Sequence, residues 1–257
     1  MRPKTPLLHA GPDGEPLIGS MVFEFHTRGL PTILDHAGLD FILYDMEATG
    51  LEFGQLGDLV AAGRAARPLQ WVRVPRLREE YISRSLDLGV DGVMVPMVRS
   101  TEEARALVDA GRYSPAGCRG AAFGLAHDDY SPRPDQSQTQ RRSNSDAALI
   151  AQLESVGAVE DAEEIAGLDG IDAIWIGGND LRNDLQLRGR DSQQEFDEAF
   201  EHIVQASRRA GKPVGTMARD AEGCRRQFDR GCTIMALGSD VHLLHDAYAS
   251  QVAALRG

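Results

Sequence analysis

The sequence predicts a single (β/α)8 barrel that comprises residues 1–257. Eight short apolar runs rich in β-branched residues recur along the chain, and helical periodicity follows each of them. Glycines stand where many of these helices would end. A length of 257 residues is also typical of this barrel as one domain. Strict alternation of strand and helix indicates parallel strands, and eight units favour closure over an open doubly wound sheet.

The predicted elements follow one another at short intervals. The predicted strands are residues 20–25, 41–44, 70–74, 92–95, 149–153, 173–176, 213–217 and 233–237. The predicted helices are residues 30–37, 52–66, 81–88, 101–110, 158–165, 194–210, 221–230 and 241–255. The glycines expected to end helices in the left-handed conformation are Gly38, Gly89, Gly111, Gly167, Gly211 and Gly231. The polar residues 126–146 interrupt the pattern; a lid, a subunit contact and a merely mobile loop are all open interpretations.

The charge balance excludes several classes of partner. The chain has 39 acidic and 27 basic residues, which gives a formal net charge of -12. Such a charge repels a nucleic-acid backbone and an anionic membrane surface, so we expect neither partner. A dinucleotide-binding fold would need G-x-G-x-x-G after the first strand, where this chain reads EFHTRG. The composition therefore favours a soluble enzyme that acts on small molecules.

The cysteines and the N-terminal residues indicate a cytoplasmic protein. Cys118, Cys224 and Cys232 are odd in number and lack zinc-finger or C-x-x-C spacing. Neither a disulfide framework nor a thiolate metal site is therefore expected. The N-terminal residues contain no apolar run long enough for a secretory signal, and no later segment is long enough to span a membrane.

Charged residues follow predicted strand two and lie near the end of predicted strand three, at the barrel end where active sites of this fold lie. Asp45 and Glu47 come directly after strand two, where acids are used, solvated or cap the next helix. Arg73 lies in the apolar run QWVRVP and should meet a carboxylate, because an unpaired buried guanidinium is costly. Its partner is either a structural acid or the carboxylate or oxyanion of a substrate, and the strand-end position favours the substrate.

Glu154 and Asp180 together predict a metal site. They follow adjacent strands five and six, which in a sheet lie about 4.8 Å apart, so both carboxylates can reach one ion. Two protein oxygens, two oxygens of a chelating 2-oxo acid and two waters give the octahedral set that suits Mg²⁺ or Mn²⁺. Gly177 and Gly178 let a ligand approach the backbone closely. The alternative is that Glu154 pairs with an arginine and Asp180 caps a helix.

These residues belong to a set of motifs that covers nearly the whole chain. The motifs, in order, are GSMVFEF, HAGLDFILYDMEATG, VRVP, LDLGVDGVMVPMVRSTEEARALV, RYSPAGCRG, QLE, GIDAIWIGGNDL and GSDVHLL. Each motif is weak by itself, but the combination is specific. The chain resembles the pyruvate-dependent class II aldolases of the 4-hydroxy-2-oxoheptanedioate and 2-keto-3-deoxyglucarate aldolase family.

The resemblance implies a cofactor and a set of site residues. Glu154 and Asp180 would bind the divalent metal, which is Mg²⁺ or Mn²⁺ with Co²⁺ as a further candidate. The residues against the 2-oxo acid would be Arg73, Gln152, Gly177, Asn179 and Asp180. Arg73 would stabilise the oxyanion during carbon–carbon cleavage. Asp87, in LDLG, matches the family acid that raises the basicity of the catalytic histidine.

One position departs from the family pattern. The family reads D-x-E-H after strand two and this chain reads DMEA at residues 45–48, so Ala48 stands where the proton-transfer histidine is expected. Loss of one general acid/base commonly costs about 10² to 10⁴ in rate. An introduced His-to-Ala change, a natural homologue that uses metal-bound water or another base, and a barrel adapted to another reaction all remain open. His26 and His127 are conceivable substitutes, although each is more often an exposed loop residue.

The expected activity is that of a metal-dependent carbon–carbon lyase, an aldolase. The metal would chelate the 2-oxo acid and stabilise the pyruvate enolate formed when a 4-hydroxy-2-oxo acid is cleaved, or used in the reverse addition to an aldehyde. Lys4 and Lys212 are the only lysines and neither ends a strand, which excludes a Schiff-base route. The alternatives are a decarboxylase of an oxaloacetate-like acid and a catalytically impaired 2-oxo acid binding homologue, engineered or natural.

The resemblance also implies a homo-oligomer, either a hexamer or a trimer of dimers. The C-terminal helix would then reach a neighbouring subunit through the apolar positions Leu243, Leu244, Tyr248, Val252 and Leu255. A helix packed against its own chain would need the same positions, so both interpretations stay open.

Overall fold

A closed barrel of eight strands forms the centre of the molecule. The computed structural model describes residues 7, 10, 14–133 and 135–257. Each strand pairs in parallel with the next, and β8 pairs with β1. The strands are β1 (Leu17–Val22), β2 (Phe41–Asp45), β3 (Leu69–Arg73), β4 (Gly92–Val95), β5 (Ala148–Leu153), β6 (Ala173–Ile176), β7 (Val214–Ala218) and β8 (Ile234–Ser239). The predicted (β/α)8 barrel is confirmed.

Helices connect the strands on the outside of the barrel. They are α1 (Leu30–His36), α2 (Phe53–Ala62), α3 (Glu79–Asp87), α4 (Thr101–Gly111), α5 (Gln136–Asp146), α6 (Val156–Glu160), α7 (Ala162–Gly167), α8 (Gly178–Leu187), α9 (Gln193–Arg209), α10 (Ala221–Asp229) and α11 (Asp240–Arg256). Short 3₁₀ turns occupy Gly63–Ala65 and Ala126–Asp128. Most helices turn an apolar face to the sheet, as an amphipathic outer layer requires.

Large apolar side chains fill the interior of the barrel. The rings of Phe41 and Trp71 stack with their centroids 4.5 Å apart, and Trp175 meets Phe41 edge-on at 6.5 Å. Gly215 leaves the space that the third ring occupies, because a Cβ there would lie 2.3 Å from Trp175. A barrel filled in this way has room for a ligand only at the ends of its strands.

Two helices were not predicted from the sequence. Helix α5 lies within the stretch interpreted as a loop, and its sequence QSQTQRRSNSD has no apolar residue to produce a helical pattern. The Asp135 side chain caps it by accepting a hydrogen bond from the backbone N–H of Gln138. Helix α8 begins at Gly178, directly behind β6. It was missed because Gly177 and Gly178 are not typical of a helix start. The predicted helix 158–165 is divided into α6 and α7 at Asp161.

The expected glycine caps are correct at four positions of six. Gly38, Gly89, Gly211 and Gly231 have positive φ angles, as a left-handed helix end requires. Gly111 and Gly167 do not, so the prediction was wrong there. Gly111 is needed for its size instead, because a Cβ at this position would lie 2.7 Å from the Leu149 side chain.

Helix α11 differs from the other long helices because none of its residues is buried. Its exposed apolar side chains are Val241, Leu243, Leu244, Tyr248, Val252 and Leu255. Packing within the chain therefore does not account for these residues. None of the described helices combines the length and the hydropathy needed to cross a membrane.

Candidate active site at the carboxyl ends of the strands

A small pocket opens at the carboxyl ends of the strands. Its volume is about 130 Å³. It is lined by Met21, Arg73, Gln152, Glu154, Trp175, Ile176, Gly177, Gly178, Asn179, Asp180, Thr216 and Met217. Six of the seven residues predicted for the site thus line one pocket, and Asp87 is the exception. The location is the one that parallel barrels use for chemistry.

Glu154 is the most deeply buried acid of this pocket. It follows β5 directly, is 1% exposed, and accepts hydrogen bonds from the backbone N–H of Met97 at 2.7 Å and from the amide of Gln152. Both donors are neutral, so the structure does not support the alternative that an arginine neutralises this carboxylate. Burial, aided by the charges of Asp180 and Glu47 and opposed by the two hydrogen bonds, raises the pKa of Glu154 to about 7.

The surroundings of Glu154 fit a bound cation. A Cβ on Gly177 would lie 2.0 Å from Glu154 Oε2, so only glycine leaves space for the carboxylate. Oε1 of Gln152 is buried and accepts no hydrogen bond from any described residue. A buried carboxylate of raised pKa beside an unpartnered oxygen is an oxygen-rich environment that a divalent ion would stabilise.

Asp180 approaches the same pocket from the first turn of α8. It is exposed, and its charge is close enough to raise the pKa of Glu154. The N-cap of α8 is Gly177, with no side-chain capping bond, so the structure does not support a capping role for Asp180. Glu154 and Asp180 are therefore the two carboxylates that could hold a metal. Among the described residues, no group of three or more His, Cys, Asp or Glu side chains is placed so that it could hold a metal ion.

Arg73 lines the pocket and pairs with two acids of the same barrel end. Its Nε and Nη2 donate to the two oxygens of Asp45 at 2.8 and 3.0 Å, and Nη1 lies 3.0 Å from Glu47 Oε2. Asp45 and Arg73 are register partners on β2 and β3, which explains the paired geometry. Burial alone would lower the pKa of Arg73, but these carboxylates raise it. The carboxylate partners of Arg73 in the structure are thus two acids of the chain itself, the interpretation that the sequence favoured less, and the Arg73 side chain still lines the pocket.

Asp45 and Glu47 have different environments although they lie two residues apart. Asp45 is fully buried and accepts, besides Arg73, the backbone N–H groups of Glu47 and Ala48. Glu47 retains 28% side-chain exposure. Neither acid caps the following helix, because the N-cap of α2 is Glu52. Ala48 is exposed beside them.

Asp87 lies away from the pocket within the chain. It is the last residue of α3, and a helix that follows a parallel strand ends near the amino end of the next strand. There it pairs with Arg119, and its Oδ1 lies 4.0 Å from Nδ1 of His127. Phe53, Arg84, Leu88, Leu125, Ala126 and Tyr130 line a second cavity with it.

Neither histidine considered as a substitute base lines the pocket. His127 belongs to the Asp87 cluster, where burial and the charge of Arg119 lower its pKa. His26 lies in the loop after β1, with Nε2 buried and without a hydrogen-bond partner among the described residues. No histidine, lysine, cysteine or tyrosine is among the described residues that line the pocket.

The sequence reasoning missed the apolar wall of the pocket. Met21, Trp175, Ile176 and Met217 come from β1, β6 and β7 and could not be distinguished from ordinary barrel residues. It also missed Met97, a residue with φ of 54° whose N–H contacts Glu154. A positive φ angle is unusual for a non-glycine residue, and no local sequence pattern predicts it.

Comparison with known proteins relates this chain to a described family. The model of the HpcH/HpaI aldolase/citrate lyase family matches residues 26–247. A hydroxypyruvate/pyruvate aldolase of Delftia acidovorans is 38% identical over 248 residues, which are 95% of this chain and 90% of the relative. A 5-keto-4-deoxy-D-glucarate aldolase of Klebsiella pneumoniae is 31% identical over 215 residues, with 84% and 83% covered.

Solved structures agree with the sequence comparison. An HpcH/HpaI aldolase from Desulfitobacterium hafniense superposes with a TM-score of 0.86 at 30% identity, covering 94% of this chain and 93% of that one. A family protein from Burkholderia cenocepacia gives a TM-score of 0.88 at 28% identity and covers 97% of both chains. The closed barrel is thus common to both crystal structures and this chain.

Proposed function

Because the chain belongs to the HpcH/HpaI aldolase/citrate lyase family, we propose that it is a metal-dependent aldolase acting on 4-hydroxy-2-oxo acids. It is an enzyme of the aldolase type, a carbon–carbon lyase. The proposed reaction releases pyruvate or a pyruvate-like 2-oxo acid and an aldehyde, or joins them. The name of the Delftia acidovorans relative, hydroxypyruvate/pyruvate aldolase, supports a three-carbon 2-oxo acid as the common reactant.

The main support for this proposal is the burial of the Glu154 carboxylate in the pocket. Glu154 and Asp180 would hold the ion, Mg²⁺ or Mn²⁺ with Co²⁺ as a further candidate. Gln152, whose buried Oε1 has no hydrogen-bond partner among the described residues, lines the same pocket. When bound, such an ion polarises the keto group and stabilises negative charge on its oxygen. Charge neutralisation by a cation would also remove the cost of burying Glu154 as a carboxylate.

The remaining pocket residues would orient the 2-oxo acid. The pocket volume of about 130 Å³ suits a small acid and excludes a bulky cofactor. The backbone N–H groups at the start of α8, from Gly178 and Asn179, would bind the substrate carboxylate, since helix N-termini stabilise anions. Trp175 and Met217 would exclude water from the reacting carbons.

Arg73 would stabilise the oxygen at which the carbon–carbon bond is cleaved. Asp45 fixes its planar fork with two hydrogen bonds, so the guanidinium needs no rearrangement during the reaction. A fixed positive charge of this kind lowers the energy of a developing alkoxide. Asp87 is proposed as a catalytic residue by family resemblance alone, and within one chain no contact with the pocket supports it.

The proposal is tested by measuring pyruvate release from 4-hydroxy-2-oxo acids with Mg²⁺ or Mn²⁺ and with a chelator. We expect release that depends on the metal and is lost in Glu154→Gln, while the exposed Glu160→Gln on α6 serves as the matched control. The proposal fails if the wild-type chain cleaves none of these acids while turning over oxaloacetate. That result would favour a decarboxylase.

The exposed apolar residues of α11 support assembly into a homo-oligomer, proposed as a hexamer or a trimer of dimers. A helix with no buried residue and six exposed large apolar side chains is covered most simply by another copy of the chain. Light scattering should give a mass several times 27.9 kDa. A monomer at micromolar concentration would contradict this proposal.

A further inference from the structure

The pocket lacks an evident group to move a proton. Aldol cleavage needs a base for the C4 hydroxyl and an acid for C3 of the released fragment. The titratable residues that line the pocket in the described part of the chain are Arg73, Glu154 and Asp180. Arginine stays protonated in proteins. A carboxylate that holds a divalent ion is equally unsuited, because the ion disfavours its protonation.

Asp45 is also excluded, although it lies at the same end of the barrel. Its carboxylate receives four hydrogen bonds, two from Arg73 and one each from the backbone N–H groups of Glu47 and Ala48. Four donors occupy the acceptor positions that a carboxylate offers. Because these positions are occupied, we assign to Asp45 the role of positioning Arg73.

Glu47 is the acid of this group that remains available. Its Oε2 lies 3.0 Å from Nη1 of Arg73. Because Arg73 lines the pocket, the Glu47 carboxylate lies directly behind the pocket wall. Its Oε1 has no hydrogen-bond partner among the described residues. The side chain is 28% exposed, so it can exchange protons with solvent between turnovers. Ala48, the next residue, is exposed as well.

The charges around Glu47 suit a group that gains and loses a proton. Burial raises the pKa of Glu47; Asp45 on β2 and Asp180 on α8 raise it as well, whereas Arg73 on β3 opposes them. Glu154, after β5, interacts with the same carboxylate. A carboxylate whose conjugate acid has a raised pKa is a stronger base than an ordinary carboxylate.

We propose that Glu47 is the catalytic acid/base of this chain, which rests on the aldolase function proposed above. Glu47 accepts the proton of the C4 hydroxyl, the C4–O bond becomes a carbonyl, and the C3–C4 bond breaks. The electron pair of that bond forms the C2=C3 double bond of the enolate. Glu47 then returns the same proton to C3 and is restored as a carboxylate, so no further reactant is required.

The test compares Glu47→Gln and Glu47→Asp with the wild-type chain. Glu24→Gln is the matched control, because Glu24 is exposed at the same barrel end and has no side-chain hydrogen bond among the described residues. Two rates are measured with Mg²⁺: cleavage of a 4-hydroxy-2-oxo acid, and exchange of the pyruvate methyl protons in D₂O by NMR. The second rate needs proton transfer at C3 but no aldehyde. Pyruvate affinity and thermal unfolding are measured alongside.

We expect Glu47→Gln to lower both rates by about 10² to 10⁴. Pyruvate affinity and unfolding temperature should stay near wild-type values. Glu47→Asp should keep part of both rates, since it retains a carboxylate; a purely structural role would not separate Asp from Gln in this way. Wild-type rates in Glu47→Gln would overturn the role of Glu47 alone. Absence of both rates in the wild-type chain would overturn the aldolase function itself.

Discussion

Two clusters of arginine and carboxylate lie at opposite ends of the barrel and do different things with the same residue types. At the carboxyl end, Arg73 pairs with Asp45 and Glu47, while Glu154 and Asp180 add negative charge nearby. At the amino end, Arg119 pairs with Asp87. The first cluster has more acid than base and opens into a pocket. In the second, one acid and one arginine neutralise each other.

The ratio of acids to arginines differs between the two clusters, and we expect this ratio to determine which of them binds a ligand and which stabilises the fold. Burial, aided by the charges of Asp180 and Glu47, raises the pKa of Glu154 to about 7, and keeping this carboxylate ionised costs stability unless a cation is bound. The Arg119 side chain is fully buried at the amino end, where removal of its partner would leave an uncompensated charge. We therefore propose that the cluster at the carboxyl end binds the ion and the substrate, whereas the ion pair at the amino end stabilises the fold.

The largest expected effect is a loss of stability of the metal-free protein as the pH rises. The pKa of Glu154 is about 7 in the folded chain and 4.5 in the reference state, so the folded chain keeps this proton longer. The associated stability is present below pH 4.5 and is lost as the pH passes through about 7, by roughly 3 kcal/mol at most. Urea unfolding at pH 5 and pH 8 measures this change.

Glu154→Gln provides the control for that measurement, because glutamine cannot titrate. The variant should lack this part of the pH dependence, and Mg²⁺ at pH 8 should stabilise the wild-type chain but not the variant. Equal pH dependence of stability in both proteins would show that ionisation of Glu154 is not the cause of the loss of stability at high pH.

Asp87→Asn tests the amino-end cluster. We expect a loss of about 2 kcal/mol in the free energy of unfolding, because Arg119 loses its carboxylate partner while Asp87 is only partly buried. The measurement is urea unfolding, with kcat determined on the folded protein. A large fall in kcat with unchanged stability would instead support the catalytic role that the family resemblance implies for Asp87.

Ala48→His has the smallest expected effect of the three. An imidazole beside Glu47 would add a second proton carrier and raise kcat by about tenfold, a small part of the gain available from a general base. Steady-state kinetics of pyruvate release measures it. An unchanged kcat would mean that the imidazole at position 48 does not reach the reacting atoms or that proton transfer does not limit turnover.

The barrel could be predicted from the sequence because each strand is a local pattern, a short run of apolar residues. β4 and β6 have the predicted bounds, since each is a compact apolar run between turn residues. Helix α5 was missed because it lacks apolar residues, and α11 was predicted although it buries none. Hydrophobic periodicity thus indicates where a helix can form but not what covers it.

The predictable part of the site is the part that topology places. Gln152 lies near the end of β5, and Glu154 and Asp180 follow the neighbouring strands β5 and β6, so parallel pairing alone brings these residues together. Asp87 pairs with Arg119, which lies 32 residues away in a connection without a strand pattern, and no local signal indicates that contact. The acceptor positions of Asp45 are all occupied by hydrogen bonds, whereas those of Glu47 are not. This difference depends on the positions of backbone N–H groups, which only the fold sets.

The proposed metal site is tested most directly by a titration of the chain with Mn²⁺, followed by electron paramagnetic resonance, with and without pyruvate. We expect one Mn²⁺ site per chain, a change of its spectrum when pyruvate is added, and loss of the site in both Glu154→Gln and Asp180→Asn. Undiminished Mn²⁺ binding in the two variants would contradict the assignment of these carboxylates and, with it, the proposed chemistry of the pocket.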